Sequence, residues 1–147
     1  MLLILLLAFS LNVRAESVVD TLAGSWKLNP AKSKLVSDIA EQTMKIEKIG
    51  SQTVRVSVET TTKSGEKRPL TFERVCDGKG HQAQAFGTGR AEICDPATGA
   101  VTFLREGKPG GQLRLTFSPD GKSHTVTRSG TNAAGKLVEE SLVFEKQ

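Results

Sequence analysis

From Met44 onward the chain keeps a two-residue alternation of apolar and polar side chains, broken by glycine- or proline-bearing turns about every ten residues. Neighbouring side chains in an extended strand point to opposite faces, so this rhythm describes strands buried on one side only. Met44 and Ile46 alternate with Lys45 and Glu47. Across Gly50-Ser51-Gln52, Val54, Val56 and Val58 alternate with Arg55, Ser57 and Glu59, which makes a hairpin. After a turn at Lys63–Lys67, Leu70 and Phe72 set the apolar side of a strand ending near Cys76, and Asp77–Gly80 breaks it. Residues 81–89 have no clear period and read as an irregular strand or bulge. Ala91–Cys94 follows, then Asp95–Gly99 as a turn, Val101 and Phe103, a turn over Gly107–Gly111, and Leu113, Leu115 and Phe117. Pro119-Asp120-Gly121 is a turn because proline pre-sets one dihedral and glycine accepts a positive one. His124, Val126 and Arg128, a turn at Asn132–Gly135, and Leu137–Phe144 complete the series. Upstream, Leu22–Leu28 reads as the first strand, and Asn29-Pro30 opens a helical turn or two within Ala31–Glu41.

Eight to nine short strands predict an all-β fold, an antiparallel up-and-down barrel with a short helical turn after the first strand. Closing the sheet removes the edges that an open meander would expose to other chains. A barrel of about eight strands is either filled by its side chains or roomy enough for one small ligand. The inward set includes Val54, Val56, Val58, Leu70, Phe72, Val101, Phe103, Leu113, Leu115, Phe117, Val126, Leu142 and Phe144. Its bulk leaves both a filled core and a cavity open.

The first eleven residues are almost wholly apolar, and Val13-Arg14-Ala15 supplies a site that a signal peptidase reads. The domain plan is a leader over 1–15 and one barrel domain over 16–147, destined for secretion or the periplasm. An apolar run this short does not cross a bilayer core of about 30 Å as a helix. Loss of the leader removes Arg14 and takes the formal charge from +4 to +3. With one Trp, no Tyr, and bases interleaved with acids as in Lys45-Ile46-Glu47-Lys48, the composition argues against nucleic acid as a partner. Cys76 and Cys94, eighteen positions apart, are expected to form a disulfide in an oxidising compartment, a closure worth about 3 kcal/mol on the chain-entropy model. A metal site using Cys76, His81 and Cys94 lacks the second ligand pair that zinc sites carry, so no metal is expected.

Gly24-Ser25-Trp26, within Leu22–Lys34, matches the Gly-x-Trp pattern of lipocalins and the wider calycin group. Together with Ser118–Lys122, Thr125-Val126-Thr127, Gly135-Lys136 and the closing Phe144–Gln147, it resembles small exported bacterial lipocalin-like proteins. The resemblance spans both ends of the chain and, more loosely, nearly all of the mature part. It implies a barrel with an apolar interior, structural roles for Gly24 and Trp26, and an Arg from a late strand packed on the Trp. Arg128 is the best positional match for that Arg and Arg114 the second. It implies no reaction.

Enzymatic signatures are missing. There is no Gly-x-Ser-x-Gly elbow, and Phe86-Gly87-Thr88-Gly89 does not continue into a nucleotide-binding spacing. Glu139 and Glu140 face opposite sides of a strand, so they cannot share a substrate. His81 and His124 read as surface or hydrogen-bonded residues rather than bases. One constellation does suggest binding. Arg74, Arg105 and Arg128 each share parity with inward apolar residues, and could receive an anionic head while a tail lies among Phe72, Phe103 and Phe117. The alternative is arginines that extend to solvent at the rim or pair with Glu. The expected function is non-enzymatic binding of a small apolar or amphiphilic molecule, with no cofactor and no stable membrane span. A protein-binding or inhibitor module with a filled core is the alternative.

Overall fold

Alternation and turns together place ten antiparallel strands around one barrel. The computed structural model describes residues 17–85, 90–132 and 134–147; the expected leader and the Phe86–Gly89 glycines lie outside them. The elements are helix α1 (Val18–Leu22), β1 (Gly24–Leu28), a 3-10 turn (Pro30–Lys32), β2 (Ile39–Lys48), β3 (Thr53–Thr62), β4 (Lys67–Val75), β5 (Gly80–Gln82), β6 (Arg90–Cys94), β7 (Val101–Arg105), β8 (Lys108–Phe117), β9 (Ser123–Thr131) and β10 (Leu137–Lys146). Chain neighbours pair throughout except β4 and β5, and β1 also pairs with β10, giving the order β4-β3-β2-β1-β10-β9-β8-β7-β6-β5. The sheet therefore curls round until β4 faces β5 and β6 across a seam with no backbone ladder among the described residues.

Three departures from the sequence reading have local causes. Leu22 ends α1 rather than starting β1: Ala23 N–H bonds Val19 C=O, and the strand begins at Gly24 with φ +139°. A Cβ on Gly24 would also lie 3.2 Å from Lys146 Cε. The helical turn expected after Asn29-Pro30 is present but limited to one 3-10 turn, because Lys34 exchanges backbone bonds with Ser141 of β10 and Ser33 Oγ accepts from Val143 N. Extended pairing along β10 thus wins over helix. The Gly107–Gly111 turn is shorter than read: Glu106 and Gly107 take left-handed φ of 52° and 75°, and β8 starts at Lys108. Partners then jump from Phe103↔Gly111 to Leu104↔Pro109, a bulge that inserts Gly110.

One end of the barrel is sealed. Val18, Val19 and Leu22 of α1 are buried there with Trp26, whose Nε1 donates to Leu22 C=O at 2.8 Å. Gly99 permits this seal, since a Cβ at its φ of +73° would come within 2.6 Å of Leu115 and 2.9 Å of Val18. The expected Cys76–Cys94 disulfide is present and buried at the same end, tying the residue after β4 to the last residue of β6. The seam is further joined by Gly78 N to Cys94 O, by Glu73 N to the Gln84 side-chain oxygen, and by Arg74 to Glu92.

Candidate ligand-binding cavity

The inward faces do not fill the barrel. They enclose a cavity of about 560 Å³, walled by Met44, Ile46, Val54, Val56, Val58, Phe72, Val101, Leu113, Leu115, Val126, Leu142 and Phe144. That size lies within the roughly 300–1,000 Å³ typical of small-molecule sites. Ser37, Asp38, Thr60, Arg68 and Leu70 line it away from the sealed end. Leu70 has inward parity yet is 40% exposed, so the cavity reaches solvent beside the start of β4.

The three sequence-selected arginines are not gathered. Strands alternate in direction, so equal positions near the ends of β4 and β7 fall at opposite ends of the barrel. Arg74 sits toward the disulfide, lining the cavity with Phe72 and stacking over its ring at 5.1 Å. Its Nε and Nη2 donate to Glu92 Oε2 at 3.1 and 3.0 Å, with both side chains largely shielded. Arg128 lines the cavity toward the open end and pairs with Glu140. Arg105 ends β7 exposed and does not line the cavity. Of the three phenylalanines only Phe72 lines it; Phe103 packs partly buried against the core, and Phe117 lies against His124 at 5.6 Å between centroids.

Glu140 and Glu139 do face opposite ways: Glu139 meets the exposed Arg114 outside, and Glu140 is buried inside. Burial pushes the Glu140 carboxyl up, but the Ser37 hydroxyl and amide and the Arg128 guanidinium outweigh it and hold it below its usual value. Val36 N and Ser37 N donate to the same oxygen at 3.1 and 3.0 Å, so this buried charge anchors the β1–β2 connection at the mouth. The expected arginine on Trp26 is replaced by Lys146, its direct partner in the β1–β10 register, with Nζ 5.7 Å from the ring. Arg128 instead lies toward the open end, bonded to Glu140, and Arg114 points outward.

His124 is the residue that sequence reasoning undervalued. It is 1% exposed and lines the cavity floor, its ring edge-on to Trp26 at 4.3 Å and stacked on Phe144 at 5.3 Å. Its Nδ1 is buried without a hydrogen-bond partner among the described residues, and burial lowers its pKa to about 4, so the floor is neutral at pH 7. The parity of His124 with Val126 and Arg128 was the available signal. His81, by contrast, bonds Asp77 near the surface at 2.9 Å.

Comparison with solved structures adds the class of fold. The fluorescent protein UnaG overlays with a TM-score of 0.63 at 13% identity, covering 88% of this chain and 99% of UnaG. An Asn-to-Ala variant of UnaG overlays with a TM-score of 0.61, also at 13% identity, over 88% and 98% of the two chains. No family model and no curated protein matches the chain in sequence. The architecture is that of a calycin- or lipocalin-like, nearly closed antiparallel barrel, with ten strands among the described residues where eight to nine were expected.

Proposed function

We propose that this barrel binds a small apolar or amphiphilic molecule non-covalently and performs no reaction on it. The observation that carries the reading is the cavity itself: about 560 Å³, predominantly aliphatic and aromatic in its lining, with Arg68 and Arg128 in the open half and Arg74, paired with Glu92, toward the sealed end. A tail laid against Val56, Leu115 and Phe144 would place a polar head near those guanidiniums. An interior of this volume also favours ligand binding over the filled-core protein module.

The buried disulfide fits an oxidising compartment, and with the apolar leader it supports export. Among the described residues, no helix is long and apolar enough to cross a membrane.

The test is titration with a fluorescent fatty acid and a lipid-extract thermal-shift panel, on the wild type and on Leu115→Trp, which narrows the cavity. Saturable binding with a raised melting temperature, weakened in a folded Leu115→Trp variant, is expected. A panel without a shift, or unchanged binding in that variant, would overturn the reading.

A further inference from the structure

The two ends of the barrel differ in charge and in exposed apolar surface. Connections and strand ends at the open end carry Lys63, Lys67, Arg68, Arg90, Arg105, Lys108 and Lys136 against Asp38, Glu66 and Glu106. Connections and strand ends at the sealed end carry Lys48, Arg74, Lys79, Lys122 and Lys146 against Glu47, Asp77, Asp95, Asp120 and Glu145. Two of the most exposed aliphatic residues stand at the open end: Val36 at 65%, on the connection anchored to Glu140, and Leu137 at 70%, opening β10. Leu70 is exposed in the mouth between the rim and the cavity. Ile49, at 41%, is the sealed-end counterpart and has no comparable excess of cations around it.

Basic side chains ringing protruding aliphatic ones are complementary to an anionic lipid surface. The cations are attracted by the headgroups, and the aliphatic tips gain from entering the interface. The same polarity turns the mouth, rather than the sealed end, toward the bilayer. Ion pairs of Arg68 with Asp38 and Glu66 quench part of this field but leave the lysines of the rim in excess. We propose that the open end docks reversibly on anionic membranes, so that an amphiphile passes between bilayer and cavity through the mouth. This inference rests on the cavity reading for its cargo, but not for the docking itself.

The experiment is co-sedimentation with vesicles of phosphatidylcholine alone or with a third phosphatidylglycerol, at low and high salt. Two variants with the same change in net charge are compared: Lys67→Glu with Lys136→Glu at the open end, and Lys79→Glu with Lys122→Glu at the sealed end. Binding is expected only to phosphatidylglycerol vesicles, weakened by salt. It should fall about tenfold or more in the open-end pair, and much less in the sealed-end pair. Leu137→Ser should weaken it further without altering net charge. Absence of binding to phosphatidylglycerol vesicles, or equal loss in both pairs, overturns the proposal. So does full competition by polyglutamate at matched charge, which would identify an acidic protein as the partner. Fatty-acid titration without vesicles is run on the same proteins. Retained fatty-acid binding without docking overturns the docking alone, and docking without fatty-acid binding overturns the cavity reading alone.

Discussion

Acidification isolates His124. The ring is neutral in the folded protein because burial among Trp26, Phe117 and Phe144 lowers its pKa from 6.5 to about 4. The unfolded chain takes up a proton near pH 6.5 while the native state does not. Stability is therefore full above that pH, declines as pH falls, and has lost the whole contribution once pH passes about 4. Between pH 7.5 and 4.5 the loss from this one group is about 2.5 kcal/mol, from roughly 1.4 kcal/mol per unit of pKa difference. Glu140 and the turn carboxylates Asp77, Asp95 and Asp120 are all held below their ordinary values, so their losses fall mainly at the acid side of this window. Denaturant unfolding at a series of pH values, on the wild type and His124→Phe, measures the difference. The wild-type curve should fall across pH 6.5 to 4.5, and the variant curve should be flatter by about 2 kcal/mol. Parallel curves would refute the claim that this imidazole is buried and uncharged.

Two other outcomes follow from the seam. Arg74→Met or Glu92→Gln leaves one member of a shielded pair without its partner and should cost about 3–5 kcal/mol, whereas Arg74→Met with Glu92→Leu should cost much less, as a double-mutant cycle in urea would show. Replacing Cys76 and Cys94 with Ser should remove about 3 kcal/mol of stability and weaken fatty-acid binding, because the margins of the seam then part; thermal melts and the fluorescence titration read both effects.

The barrel was legible because its cause is local. Half-buried strands must alternate, and tight turns need residues such as Asp95, Gly99 and Gly121. Val54, Val56, Leu142 and Phe144 are core for the reason their parity states. The sulfur bridge followed from a pair of cysteines in a chain with an export-like start. What was illegible depends on three dimensions. Parity says which face a side chain takes but not which end of the barrel it occupies, so Arg74 and Arg105 were grouped although their strands run in opposite directions. Pairing partners such as Glu92 for Arg74 and Glu140 for Arg128 lie on other strands, and no spacing rule predicts them. Strand lengths and bulges set the interior volume jointly, which is why neither a filled nor a hollow core could be chosen from residue sizes. His124 looked ordinary because a lone histidine carries no motif; only its aromatic surroundings distinguish it.

The gap between β4 and β5 makes this barrel a split ring rather than a hoop. A hoop widens only by breaking ladder bonds. A split ring riveted near one rim by Cys76–Cys94 is held at that rim by a covalent bond and, toward the other, by side-chain contacts. Among the described residues, the bonds bridging the cut stop at Glu73 and Gln84, short of the first half of β4. Widening along this cut would leave every strand-to-strand ladder intact, which a closed ring does not allow.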